Sequence, residues 1–285
     1  MHTPTQFEKS LETLHRAFPF GDYFPSSGSM LAQRVIGQAV LRNLPSGSIL
    51  DFGSGPCDKS AALAMCGYQV SACDDLCDPW HRSGNNREKI LEFASQVGID
   101  FFPIEPGAPF PYRPGQFDLA MLCDIIEHFH DSPRALLCQV LEWIKPGGLL
   151  LITVPNAANL RKRAGLLLGR TNYPPYSDFF ASPPPWRGHV REYVLGDLRA
   201  LAGFMELEIV ELRDIHKMLD KRLENPFLKA AYLATTGLLP LSGLRDTLLL
   251  IARKPPGWTP DGVLRTAHAG AHSANVSSVS PGVCQ

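Results

Sequence analysis

The sequence predicts an α/β protein, a mostly parallel sheet with helices on both faces. Two observations carry this. Five short aliphatic runs, at residues 48–52, 69–73, 100–104, 117–123 and 149–154, recur through the first half of the chain, each bounded by Gly, Pro or Asp. Helical stretches fall between them at 59–66, 87–97 and 132–144. Strand–helix alternation of this kind implies a parallel sheet covered on both sides. The chain has 285 residues, 45% of them hydrophobic and 19% charged, enough for one α/β domain with insertions and a full core.

The elements follow in order. Residues 1–45 read as a helical segment ahead of the first strand. The helix at 132–144 has Asp131 or Ser132 as N-cap and Pro133 in its first turn, and it stops at the Lys-Pro-Gly-Gly of 145–148. Residues 155–188 break the pattern with the basic run RKRAGLLLGR (161–170) and the stretch NYPPYSDFFASPPPWRG (172–188). So many prolines argue against regular structure, and the segment reads as an insertion or lid over the active site. The alternation then resumes with a helix at 195–202, a strand at 205–210, a helical segment at 221–238 and a last strand at 246–253. Residues 1–254 are expected to form a single domain. Residues 255–285, rich in Pro, Gly, Ser and Ala, are expected to be a disordered tail.

Composition excludes several classes of function. With 27 basic against 28 acidic residues the formal charge is −1, so there is no electrostatic footprint for nucleic acid. The seven cysteines, at 57, 66, 73, 77, 123, 138 and 284, lack the paired spacing of a metal site, and no metal is expected. They read as reduced core residues of a cytoplasmic protein. The N-terminus lacks the basic start and apolar stretch of a signal peptide. The longest apolar stretch, 230–241, falls short of the roughly 20 residues that span a bilayer. That leaves a soluble chain, with peripheral membrane contact open and oligomeric state unspecified.

The chemistry begins at Asp51-Phe-Gly-Ser-Gly55, which follows a buried strand and precedes a helix. Glycines in such a turn let the backbone approach a ligand, and the helix start supplies free N–H donors. The next strand ends in Asp74 and Asp75, where a carboxylate can accept from the hydroxyls of an adenosine ribose. A nicotinamide dinucleotide wants a third glycine for G-x-G-x-x-G, and Asp58 occupies that place. Asp51 also puts negative charge beside the loop, which suits an ammonium and a sulfonium better than a diphosphate. The residues therefore favour a methyl donor over a dinucleotide.

Four ordered motifs between about residues 49 and 204 give a resemblance to class I S-adenosylmethionine-dependent methyltransferases, in their small-molecule, quinone-biosynthesis and type 11/12/23 branch. ILDFGSG looks like the first motif and QVSACDD like the second. FDLAMLCDIIEHFHDSPRALLCQVLEWIKPGGLLLITVPN (117–156) looks like the fourth and fifth, and GHVREYVLGDLRALAGF (188–204) resembles the late G-H-x-R-E-Y segment. The resemblance implies a Rossmann-like seven-stranded sheet whose last strand is antiparallel, a role 246–253 can fill. It implies S-adenosylmethionine as cofactor, with Asp51, Gly53 and Gly55 at its methionine end and Asp74 on the ribose, Asp75 merely capping the strand. Glu105 is the nearest match to the adenine-side acid, though its spacing departs from the family pattern by about two residues. Cys123 and Asp124 would end the fourth strand beside the reacting centre.

Methyl transfer to a hydroxyl benefits from a general base, commonly histidine. His128, four residues after Asp124, matches a position that acts as base in some relatives, or it packs under the donor. His189 is the second candidate, with Arg191 and Glu192 either facing substrate or anchoring the lid. His130 reads as a surface residue. RKRAGLLLGR fits an anionic or lipid-linked substrate, or a solvated helix face. The Pro- and aromatic-rich insertion resembles methyltransferases of polysaccharide or glycolipid synthesis. The expected acceptor is thus a small-molecule, sugar or lipid-linked compound, a sugar hydroxyl first and a quinone, phenol or amine next. Two other classes stay open: an NAD-dependent oxidoreductase and a non-catalytic module that binds the methyl donor.

Overall fold

A computed structural model of the chain describes residues 3–21, 23–24, 30–217, 225–238 and 243–263. The N-terminal segment forms α1 (Pro4–Ala17) and α2 (Leu31–Asn43). Thr3 caps α1 by accepting from the Gln6 N–H at 3.1 Å, and Pro4 sits where a missing donor costs nothing. Phe7, Leu11 and Leu14 make its buried stripe. Phe7 lies so close to α2 that a Cβ on Gly37 would meet its Cζ at 2.0 Å, so only glycine allows this crossing.

The strands are β1 (Ser48–Phe52), β2 (Gln69–Asp74), β3 (Asp100–Pro103), β4 (Phe117–Cys123), β5 (Ile144–Pro155), β6 (Glu208–Ile215) and β7 (Thr247–Arg253). They form one seven-stranded sheet in the order β3-β2-β1-β4-β5-β7-β6. β1 to β5 run parallel, and β7 lies antiparallel between β5 and β6. This is the sheet the sequence implied, including the antiparallel last strand. The linking helices are α3 (Ala61–Cys66), α4 (Asn86–Gln96) and α5 (Arg134–Trp143).

Two apolar cores sit on opposite faces, and the period-2 alternation of the strands divides residues between them. Ile49, Met121, Leu151 and Ile251 face α1–α4, while Leu50, Leu122, Ile152 and Leu250 face α5 and α8 (Leu195–Phe204). Successive connections leave β1 on one side through β2 and β3 and return on the other through β4. Phe52 lies level with Cys73 on one neighbour and Leu122 on the other, so the ends of β1, β2 and β4 open on one crevice. Open α/β sheets bind ligands at this kind of reversal.

Two expectations need correction, and a third is seen in part. The insertion at 155–188 is not devoid of regular structure: it holds α6 (Leu160–Leu167) and α7 (Tyr176–Ala181). Its prolines flank these helices, where they do no harm, and the Asn159 side chain caps α6 by accepting from Lys162 N–H at 3.0 Å. The helical segment expected at 221–238 is seen as α9 (Pro226–Leu238), its first four residues lying outside the described ones. The domain also does not stop at Lys254. Trp258 and Val263 are buried, and the indole N–H of Trp258 donates to the Met205 carbonyl at 2.8 Å. A large ring with a satisfied donor holds the start of the expected tail to the second core, and residues 264–285 lie outside those described. No described helix is long and apolar enough to cross a membrane.

Candidate active site

The crevice encloses about 510 Å³ between the β1, β2 and β4 ends, the N-terminal segment and the Pro185–Arg187 stretch of the insertion. Its floor is the turn after β1. Gly53 and Gly55 have φ of 69° and 53°, a region that non-glycine residues enter at a cost. A Cβ on Gly53 would also meet Ile125 Cδ1 at 2.2 Å. The turn is held from the neighbouring strand. Gly53 and Ser54 donate to the Cys73 carbonyl, and Gly55 donates to Asp74 Oδ2 at 2.8 Å. Asp74 Oδ1 accepts from Leu76 N–H at 2.7 Å, so one carboxylate organises both loops. Burial raises the Asp74 carboxyl, against the pull of these two N–H donors.

Asp51 lies beneath the turn. It is buried, does not line the crevice, and leaves Oδ2 without a hydrogen bond among the described residues. Burial pushes its carboxyl up to about 6. Lys59 lines the crevice with its ammonium 3.4 Å from Asp58 Oδ1. Burial opposes that charge, but Asp58 holds the ammonium well above its usual range. Asp58 is in turn fixed by Gln33 Nε2 at 2.5 Å and the Tyr23 hydroxyl at 3.2 Å. Asp58 thus does more than displace a glycine: it ties the N-terminal segment to the turn.

On the far side, Cys123 ends β4 and lines the crevice, and Asp124 follows with φ 62°. Lys217 Nζ grips both Asp124 oxygens, and its own N–H donates to Asp246 Oδ1 at 3.0 Å. Burial would raise Asp124, but Lys217 and Lys59 outweigh it and hold the carboxylate below its usual range. The next residues make a 3₁₀ turn, Ile126–His128. His128 lines the crevice, and its Nδ1 lies 2.9 Å from the Arg187 carbonyl. A carbonyl only accepts, so Nδ1 carries the proton and Nε2 is left as an acceptor in the neutral ring.

The other expected residues are placed less centrally. His189 lies outside the crevice lining, but its ring centroid is 5.0 Å from that of His128 and its Nδ1 is 3.0 Å from Glu192 Oε1. Glu192 also pairs with Lys162, while Arg191 turns away toward Asp197 at 3.7 Å. His189, Arg191 and Glu192 line a separate pocket together with Ala157 and Tyr173. Glu105 is exposed and outside the lining, where Ile104 stands instead. Asp75 does more than cap its strand, since it pairs with Arg187 together with Asp78. His130 is exposed, as expected, and it lines the crevice with a ring nitrogen 2.8 Å from the Trp186 carbonyl.

Sequence reasoning missed Lys217, Lys59, Tyr23 and Glu127. Lys217 and Tyr23 belong to no motif and arrive from distant segments. Glu127 opens the E-H-x-x-D stretch of residues 127–131. It is fully buried with neither carboxylate oxygen hydrogen-bonded among the described residues. Burial, with the Asp124 charge next, pushes it up to about 8. Glu127, His128 and His189 each bring a ligand atom within 4.8 Å of the others, a group able to hold a cation that cysteine spacing did not foreshadow.

The donor set fits a small cationic ligand better than a diphosphate. Asp74 lines the crevice, and Asp51 and Asp58 are buried beside its turn, so a diphosphate there would meet acidic neighbours on the turn that has to bind it. Comparison with known proteins agrees. The family model described as "Methyltransferase domain" matches residues 30–212, and the chain belongs to that family. Among curated proteins, the ubiquinone biosynthesis O-methyltransferases of Xanthomonas campestris pv. campestris strains B100 and 8004 are 33% identical over 113 residues. That match spans 40% of this chain and 45% of theirs, less than half of each relative. Among solved structures, the 1,6-didemethyltoxoflavin-N1-methyltransferase of Burkholderia thailandensis, with bound S-adenosylhomocysteine, matches at TM-score 0.51 and 16% identity, covering 90% of this chain and 92% of that one. The PH0226 protein of Pyrococcus horikoshii OT3 matches at TM-score 0.51 and 15% identity, covering 83% and 96%. These two establish the shared fold.

Proposed function

We propose that this chain transfers the methyl group of S-adenosylmethionine to a hydroxyl of a small molecule, a sugar hydroxyl being the first candidate. The observation that carries the reading is His128, held by the Arg187 carbonyl so that Nε2 is free to accept a proton at the crevice wall. Gly53 and Gly55 would take the methionine end of the donor, with the Asp51 carboxyl beneath them, and Asp74 its ribose. Glu105 has no part. When bound, S-adenosylmethionine supplies a sulfonium-activated methyl group. The protein's work is then to align the acceptor oxygen and to take up its proton. Cys123 and Asp124 border the place where that oxygen would sit, and His189 stands behind His128.

The polar rim of Asp75, Asp78, His81, His130 and Arg187 supports an acceptor with several hydroxyls. A second reading, a phenolic or quinol hydroxyl, is favoured by the names of the Xanthomonas relatives and by Tyr23, Phe129 and Trp186 in the lining, which can stack on a ring. Labelled S-adenosylmethionine offered with parallel panels of sugars, nucleotide sugars, catechols and quinols separates the two. Label in the sugar panel supports the first reading, and label confined to the aromatic panel replaces it with the second. Label in neither panel, with bound donor, rejects both.

A further inference from the structure

The insertion carries an apolar surface that the site leaves unexplained. Leu167 is 89% exposed, Phe180 77% and Tyr176 75%, with Leu168 and Tyr173 beside them in sequence. Such a run of large exposed side chains marks a contact surface. Its α7 side adjoins the crevice. Phe179 of α7 packs edge-on against Trp186, ring centroids 5.3 Å apart, and Trp186 lines the crevice. The link between α6 and α7 is pinned beneath, where Asn172 Nδ2 donates to the Ala157 carbonyl at 3.0 Å.

Charge says what covers it. Between residues 160 and 187 there are five cations (Arg161, Lys162, Arg163, Arg170, Arg187) and one anion (Asp178), in a chain that overall has 27 against 28. Lys162 pairs with Glu192, Arg187 with Asp75 and Asp78, and Arg163 Nε donates to the Ala158 carbonyl; Arg161, Arg163 and Arg170 are exposed on and just after α6. Leucines, tyrosines and phenylalanines rimmed by arginines match the layered chemistry of a bilayer surface, apolar below and anionic at the headgroups. A second copy of the chain would have to bring a matching acidic face. α6 and α7 have eight and six residues, too short to span, so they can only lie in the interface.

We propose that α6 and α7 form a docking surface for an anionic lipid bilayer, which sets the mouth of the crevice against the membrane. An acceptor with an apolar tail could then enter without leaving the lipid. Docking does not depend on which acceptor is methylated, and it is measured without turnover.

The test is co-sedimentation of the full chain with vesicles of phosphatidylcholine alone or mixed with phosphatidylglycerol, with sedimentation velocity of the free protein alongside. The chain should bind the mixed vesicles, less so at high salt, and the neutral ones weakly. Each arginine near an anionic surface contributes roughly fivefold, so Arg161→Gln with Arg170→Gln should lower partition onto mixed vesicles by about 30-fold. Leu167→Ser with Phe180→Ser, at positions too exposed to affect folding, should reduce binding to both compositions. Wild-type protein that ignores mixed vesicles overturns the proposal. So does binding that the substitutions leave unchanged, or a dimer that Leu167→Ser with Phe180→Ser converts to monomer.

Discussion

Asp74→Asn is a near-isosteric change with a large expected effect. The carboxylate accepts from Gly55 N–H at 2.8 Å with one oxygen and from Leu76 N–H at 2.7 Å with the other. Asparagine has one carbonyl oxygen, so its NH₂ must face one of these N–H groups. One charge-assisted hydrogen bond is lost, about 1.5–3 kcal/mol, and a donor is left opposing a donor. If the two loops must hold their present shape to receive the donor, that energy appears in affinity as roughly a 10- to 140-fold rise in Kd. Titration calorimetry with S-adenosylhomocysteine reads it, with thermal denaturation to register any loss in the free protein. Binding within twofold of wild type would refute the claim that Asp74 organises the site. A variant that loses stability but not affinity would refute it equally.

Other predictions concern the rest of the site and the fold. His128→Ala should lower kcat by roughly 10²- to 10⁴-fold with the donor Kd unchanged, and a loss in Kd instead would make His128 a packing residue. Glu127, raised to about 8 in the fold from 4.5, favours folding only while protonated. Its contribution is complete below its unfolded value and lost as pH rises through about 8, a few kcal/mol in all. Urea unfolding between about pH 5 and pH 9 should therefore show Glu127→Gln gaining on wild type with rising pH, whereas parallel curves would contradict the burial argument. Trp258→Ala should cost about 3–5 kcal/mol in chemical denaturation, a loss that a disordered tail would not show.

The contrast between what could and could not be read from the chain has a physical pattern. β1 and β4 fall where expected, at Ser48–Phe52 and Phe117–Cys123, because both are nearly continuous buried aliphatic runs. β6, expected at 205–210, runs instead over Glu208–Ile215. It is an edge strand whose Glu211, Arg213 and Asp214 interrupt the aliphatic run and are only half-buried, so the apolar signal weakens just where the strand continues. The Asp51–Gly55 turn and Asp74 were legible because their backbone geometry demands particular residues at fixed spacing. Lys217 and Tyr23 were not, since they meet Asp124 and Asp58 only through the fold. Glu105 departs from the family spacing by about two residues, and the loop after β3 leaves it exposed. Trp258 shows how one large ring can outweigh a disorder-prone composition around it.

The ligand proposed for the acidic turn after β1 is a methyl donor and not a dinucleotide. Calorimetric titration of the same protein with S-adenosylhomocysteine and with NAD tests it directly. Saturable binding of S-adenosylhomocysteine, weakened by Asp74→Asn, with no heat from NAD is the expected result. NAD binding in the absence of any S-adenosylhomocysteine binding would contradict it.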